Sequence, residues 1–566
     1  MYKLIGALAF LIILFSFTTT DTFYPQDFFQ SPMNKTLRLS GTFGELRPNH
    51  LHAGIDIKAN KGEKILCAGD GYVSRIKIQT GGYGKVLYIS HPNGYTTVYA
   101  HMDKFTDELE AYVKRKQYQK ESFTIELFPQ ANQFSFQKGE YIGRVGMSGR
   151  TFGPHLHFEI RDSGSEKPIN PLLFGIKVED TQPPKLHQIK LYAMNQEGEE
   201  IGSKIYNLKK YHGNYRIQGD TISFGAWRMG LGLKVYDRMN KVTNWNGIYS
   251  LEMYVDDVLY YDFAMEKFSF SETRYANAHL DHKERIKNKA YFNRCFVLPG
   301  NHLSIYGHHG HPIELEQHLA KKIKIIARDI YQNTSQLTFW VKRDSKIIKD
   351  DRSFNYFLPY NEKNKIENAS LKLFFPKNAL YENLYMEYQA FPDQSSGIYS
   401  SVHHIHKNTT PLQKAIKISI LPNQMPENLR KYAFIARCED DNQIVNCGGK
   451  WNVDFLTTKI AQFGEYCIMI DTVKPYILPE NYQYNMRGKK TMSFQIKDDI
   501  DTGRYAKGLK YRCTVDNQWI LMKYDPKKNS LTYTFDEKIS HGKHQIHIQV
   551  TDPVGNERNF IDEFVY

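Results

Sequence analysis

Apolar and polar side chains alternate with period two through much of this 566-residue chain, the pattern of β-strands with unlike faces. His155-Leu156-His157-Phe158-Glu159-Ile160 predicts a half-buried strand, its two histidines on one face and Leu156, Phe158 and Ile160 behind them as core. His52 to Lys58 reads in the same way, with His52, Gly54, Asp56 and Lys58 on one side and Ala53, Ile55 and Ile57 on the other. Val86 to Ser90 and Tyr95 to Met102 flank the turn signal Pro92-Asn93-Gly94, which predicts a hairpin. On its second strand Tyr95, Thr97, Tyr99 and His101 share a face. Asp107 to Gln119 departs from this period: Leu109, Tyr112 and Val113 recur at helical spacing. Such a helix is a lid, a wall of a substrate groove, or a surface excursion without a binding role.

Composition supports a mainly β protein. Aromatic residues make up 14%, with 39 tyrosines and 34 phenylalanines, and these side chains favour strands. The length implies three to five domains. Met1-Tyr2-Lys3 followed by the apolar run Leu4 to Phe17 is too short for a comfortable membrane span and reads as a signal peptide or N-terminal anchor, residues 1–20. Asp-Thr and proline precede an alternating strand at Glu179 to Lys185 and again at Ile470 to Tyr476, so both open new modules. Strands ending in Asp-x-x-x-Asn recur at Asp329-Asn333 and Asp552-Asn556, as in the last hairpin of an immunoglobulin-like sandwich. The expected division is 21–180, an immunoglobulin-like domain with insertions over 181–344, a β domain of uncertain type over 345–470, and a sandwich over 471–566.

The formal net charge is +13, but basic and acidic residues are interspersed. A solvated surface is expected and no nucleic-acid partner; an exported protein meets cell-wall polymers and anionic lipids first. Membrane contact is expected only if the N-terminal segment stays uncleaved. Cys67 reads as a buried thiol, and Cys438 and Cys447, flanking Glu439 to Asn442, are candidates for a local disulfide in an oxidising compartment. The histidine clusters at 308, 309 and 311 and at 403, 404 and 406 lack close carboxylate or cysteine partners and read as solvated loop or strand-surface residues.

The chemistry is concentrated in four residues. Zinc takes nitrogen and oxygen ligands tetrahedrally, and a catalytic site keeps three protein ligands with water in the fourth position. His52, Asp56 and His157 fit that count and leave His155 beside the metal but free. His50 is a weaker competitor for His52. Glu159, on the same face, reads as structural support.

Gly44-Glu45-Leu46-Arg47 through His52-Ala53-Gly54-Ile55-Asp56, then Tyr99-Ala100-His101-Met102, then Gly153-Pro154-His155-Leu156-His157-Phe158-Glu159-Ile160 resemble, in order, the lysostaphin/LytM-type zinc metallopeptidases. The likeness covers residues 38 to 175. It implies an antiparallel-sheet, duplicated-hybrid-motif-like peptidase domain, followed here by several β-sandwich domains. It further implies one Zn2+ held by His52, Asp56 and His157, with His101 and His155 as unligated catalytic histidines. The implied activity is hydrolysis of peptide cross-links in peptidoglycan by a protein of the periplasm or cell envelope. A non-catalytic regulator of another wall hydrolase and a structural envelope protein are the alternatives, and the C-terminal modules are a candidate docking surface for an envelope protein.

Overall fold

The computed structural model describes residues 24–211, 213–392, 397–439 and 443–566; the apolar run Leu4 to Phe17, with its reading as signal or anchor, lies outside them. No helix among the described residues is long and apolar enough to cross a membrane. The protein is mainly β, as expected.

Among the described residues, the N-terminal part is built on a nine-stranded sheet. Its central path runs through Leu39–Gly41, Ile55–Lys58, His155–Asp162, Tyr95–Ala100, Lys85–Ser90, Gly71–Ile78 and Ile125–Leu127. A three-stranded sheet of Lys64–Leu66, Tyr141–Val145 and Met102–Phe105 completes the core with Ile55, Ile57, Tyr99, Leu156, Phe158 and Ile160. Burial of these apolar faces is the main force holding the strands together. His155–Asp162 is central, pairing with Ile55–Lys58 on one edge and Tyr95–Ala100 on the other. It is buried on both faces rather than on one, because Glu159 and Arg161, which alternation assigns to solvent, are 0% and 4% exposed.

Helix α1 spans Asp107–Gln119, as its spacing predicts, and buries Leu109 and Val113. Its outer side is not free. The Tyr118 hydroxyl donates to Asp536 Oδ2 at 2.9 Å, and Lys114 Nζ lies 2.9 Å from Asp536 Oδ2 and from Glu537 Oε2. The helix packs as a strut against the C-terminal sandwich.

Three further large cores follow among the described residues. One lies between a five-stranded and an eight-stranded sheet and joins Leu191, Leu231, Ile325 and Leu337, together with Phe43, Leu51 and Ala53 from the N-terminal part. Short helices Ala276–His279 and His282–Asn288 interrupt this sandwich. They are tied in by buried Lys190, whose ammonium reaches Asp281 at 2.7 Å and Glu284 at 2.9 Å. The next core joins Leu373, Ile418, Ile435 and Ile468, and the last Phe494, Cys513, Ile548 and Phe564.

Two expectations are corrected here. Cys438 and Cys447 do not adjoin: Cys447 N–H donates to Ile435 O at 2.9 Å, three residues away from Cys438 along the partner strand. The two side chains belong to cores on opposite faces of that sheet, and the Cys438 sulfur lies 3.9 Å from that of Cys467. Part of the intervening turn, residues 440–442, falls outside the described residues. His403 and His406, read as solvated, are buried. His403 Nδ1 is 3.0 Å from the Tyr388 hydroxyl, and His406 Nε2 is 2.9 Å from Thr410 Oγ1.

Candidate metal centre

Strand register brings the sequence candidates together. His157 lies opposite Asp56 on one side and Ala100 on the other. His52 precedes the Ile55–Lys58 strand instead of extending it, and its ring turns back over Asp56. Gly54 makes this path necessary, because a Cβ there would lie 2.3 Å from Phe158 O and 2.8 Å from Glu159 Cγ.

His52 Nε2, His157 Nδ1 and Asp56 Oδ1 form a buried triangle. Its sides are 3.0 Å between the nitrogens, 3.1 Å from His52 to Asp56 and 2.9 Å from His157 to Asp56. The outer nitrogens are committed: His52 Nδ1–H donates to Thr42 O at 2.8 Å, and His157 Nε2–H to Glu159 Oε1 at 2.8 Å. These bonds fix both tautomers and leave two lone pairs and a carboxylate oxygen converging, an arrangement that repels itself unless a proton or cation sits among them. Tetrahedral zinc ligands lie about 3.3 Å apart, so the triangle has the right size and donors. The group could hold a metal ion.

Its charges are set by burial and by its neighbours. Burial pushes the Asp56 carboxyl up, but His52 and hydrogen bonds from His155 and His157 outweigh it and hold the group well below the usual carboxylate range. The Arg47 guanidinium adds a hydrogen bond to Asp56 Oδ2 at 2.7 Å. Burial lowers His52 to about 4. Burial opposes the charge on His157 too, yet hydrogen bonds to Asp56 and Glu159 raise it to about 9. Glu159 is itself gripped by Tyr83 and by Arg161, whose Nε donates at 2.6 Å.

His155 and His101 stand beside the triangle. Their rings are 4.8 Å apart, and His155 Nε2 is 3.5 Å from Asp56 Oδ1. His155 Nδ1 lies 3.0 Å from Gly153 O and 3.1 Å from Thr151 Oγ1. His101 Nδ1–H donates to Ser148 O at 2.8 Å, leaving Nε2 as an acceptor. Burial, then the charges of His157 and His155, lower His101 to about 3.

His101 reaches this place by a route that alternation does not give. Tyr99 pairs with Phe158 and faces the core, whereas Ala100 pairs with His157; strict alternation would turn His101 into the core with Tyr99. Its backbone has φ +61°, a left-handed conformation that breaks the strand and turns the ring to the metal side. The turn is held by His101 N–H donating to Tyr83 O at 3.0 Å.

His50 is exposed, with Nδ1 2.9 Å from Pro48 O, and belongs to the rim. The centre opens into a cleft of about 1300 Å³ lined by Arg47, Lys58, His101, Arg150, Phe152 and His155. Of the supporting groups, Arg47 stands in a segment whose likeness to the LytM type is legible in sequence. Thr42 and Ser148, which act through backbone carbonyls, leave no side-chain signal.

A buried two-histidine, one-carboxylate cluster opening on a cleft, with two further histidines beside it, has the donor set that catalytic metal centres use. Residues 50–118 match "Peptidase family M23", so the N-terminal part of the chain carries a peptidase M23 domain of the LytM type. Residues 355–471 match a "Zu5-like domain", in the region left of uncertain type by sequence. The DD-carboxypeptidase/endopeptidase Mpg of Neisseria meningitidis serogroup B is 34% identical over 177 residues, 30% of this chain and 34% of Mpg. The peptidoglycan DD-endopeptidase ShyC of Vibrio cholerae is 29% identical over 26% of this chain and 31% of its own. The murein hydrolase activator NlpD of Escherichia coli is 31% identical over 21% of this chain and 25% of its own. The chain thus spans about a third or less of the length of these curated relatives.

Proposed function

We propose that this protein is an exported zinc metalloendopeptidase that hydrolyses peptide cross-links of peptidoglycan. The observation that carries the reading is the convergence of His52 Nε2, His157 Nδ1 and Asp56 Oδ1 with two non-ligand histidines at the edge of an open cleft. His52, Asp56 and His157 would hold the zinc. When bound, such an ion lowers the pKa of a water and polarises a carbonyl.

The chain's own groups supply the rest. His101 offers Nε2 as a proton acceptor, because its Nδ1–H is fixed on Ser148 O and burial keeps the ring neutral. His155 Nε2 faces the same space and is placed to contact the oxygen of a tetrahedral centre or to pass a proton to the leaving amine. Lys58, Arg47 and Arg150 give the cleft a basic lining, which suits a peptide carrying carboxylates. The names of Mpg and ShyC support a peptidoglycan substrate.

Digestion of purified sacculi, with mass spectrometry of the released fragments, tests the reading. Intact protein should create new peptide ends, and the fragment masses would identify the bond cut. The likeness to NlpD carries the second reading, an activator of another hydrolase. That reading would prevail if zinc-loaded protein released nothing by itself but accelerated a purified wall hydrolase.

A further inference from the structure

The two Asp-x-x-x-Asn turns are one device used twice. Asp329 Oδ1 accepts from the N–H groups of Tyr331 and Asn333, while Asn333 Nδ2 donates to Asp329 Oδ2 and to Asp180 O. In the last sandwich Asp552 Oδ1 accepts from Val554, Gly555 and Asn556, while Asn556 Nδ2 donates to Asp552 Oδ2 and to Asp471 O. The correspondence extends to the strands. Asp180 and Asp471 each stand five residues before the first strand of their sandwich, at Lys185 and Tyr476. Asp237 and Asp498 each follow the strand that pairs with it, and the registers match: Lys185 opposite Tyr236, and Tyr476 opposite Lys497.

This geometry gathers carboxylates. Asp180, Asp237 and Asp329 each present an oxygen within 4.8 Å of the others, and so do Asp471, Asp498 and Asp499. Unlike a surface acidic patch, the first group has two buried members, Asp237 at 1% and Asp329 at 2% exposure, beside the half-buried Asp180. Asp237 Oδ1 and Asp180 Oδ2 have no hydrogen-bond partner. In the second group Asp471 is 2% exposed and its Oδ2 lacks a partner, as does Asp498 Oδ2. The groups acting on Asp237 are burial, the other two carboxylates and one backbone N–H, none of them a cation; together they push it up to about 8. Burial and the neighbouring carboxylates likewise push Asp498 to about 7.

We propose that each sandwich binds a hard divalent cation, calcium, at its leading junction: one on Asp180, Asp237 and Asp329, the other on Asp471 and Asp498 with Asp499. All the ligand atoms are carboxylate oxygens, with no imidazole or thiolate, a donor set that selects calcium over zinc. Oxygens that all lie within 4.8 Å of one another fit around a single ion with bonds of about 2.3–2.6 Å. Backbone carbonyls and water would complete the shell. The first ion would tie the segment entering its sandwich to two strand ends, and the second, on the adjacent Asp498 and Asp499, to one, stiffening each junction.

The test uses the full chain, loaded with zinc and freed of other cations, and follows terbium luminescence excited through its aromatic side chains, among them Tyr236 next to Asp237 and Tyr476 opposite Lys497, with bound terbium counted by elemental analysis. Two terbium ions should bind and be displaced by calcium at concentrations where magnesium does not displace them. Asp237→Asn should leave one such ion and Asp237→Asn/Asp498→Asn none, a loss of at least about tenfold in affinity per site. Calcium should raise the unfolding temperature of the native chain but not of the double variant. The asparagines are isosteric and remove like-charge repulsion, so without calcium the double variant should unfold no earlier than the native chain. Absence of terbium and calcium binding by the native chain, or equal calcium uptake by the double variant, would overturn the proposal.

Discussion

The Leu51 amide donates to the Thr273 hydroxyl at 2.7 Å, 222 residues away in sequence and one residue before His52. Leu51 and Ala53 are buried in the core of the following sandwich, so the two neighbours of a metal-site histidine belong to another module's interior. Thr42, whose carbonyl orients His52, also donates its hydroxyl to Gly247 O at 3.4 Å. The sandwich is therefore part of the scaffold of the centre. A chain ending near residue 180 should hold zinc about ten- to a hundredfold less tightly than the full chain, the usual cost of losing groups behind a ligand. Zinc affinity of both forms, measured by competition with a chelator, checks this; equal affinity would mean that the sandwich contacts do not support His52.

The division of labour among the histidines has a direct readout. His157→Ala should lose bound zinc, since it deletes one corner of the triangle. His155→Ala should keep about one zinc per chain and still release no peptide from sacculi, because its ring stands outside the triangle. Elemental analysis beside the digestion assay separates the two; full activity of His155→Ala would remove that residue from the mechanism.

Gly54 is required by packing. In Gly54→Ala the new methyl would overlap Phe158 O at 2.3 Å, in a central strand with little room to retreat. A destabilisation of about 2–4 kcal/mol is expected, read from denaturant unfolding of the N-terminal core, with weakened zinc binding as a companion effect. A variant as stable as the native chain would show that the strand yields.

Acid should unfold the chain through histidines far from the metal centre. Burial lowers His279, His403 and His406 from 6.5 to about 4. The unfolded chain takes up a proton near 6.5 while the folded chain resists until about 4. Stability is thus intact above 6.5 and falls through the window down to 4, by up to about 1.4 kcal/mol per pH unit for each group. Unfolding temperatures at pH 7, 6 and 5 check the sign, and His279→Gln should flatten the slope.

What the sequence discloses about this site depends on whether a residue acts through its side chain in regular backbone. His155, His157 and Asp56 sit in strands, and alternation puts them on one face. His101 stands beside His155, although alternation would have turned its ring into the core with Tyr99. The sign of φ at His101 decides otherwise, and no hydropathy pattern records it. The burial of Glu159 and Arg161 is hidden for a related reason: charged residues on an alternating strand look solvated until their partners, Tyr83 and His157, are known. His403 and His406 deceive in the same manner. Helix α1 was legible to its ends, yet its outer partners, Asp536 and Trp519, lie some 400 residues further along.

Lys527, from the last sandwich, donates to the carbonyls of Met147 and Thr151 at 3.1 Å each, on the loop whose Ser148 and Thr151 orient His101 and His155. The second module meets the third through Arg274, which donates to Leu412 O; the third meets the fourth where Asn446 pairs with Thr502; and the fourth returns to the first. The polypeptide is thus a closed circuit whose two ends of travel, the His52 segment and the 147–151 loop, meet across one cleft. The segments that place the site's histidines are held by contacts from modules hundreds of residues further along the chain.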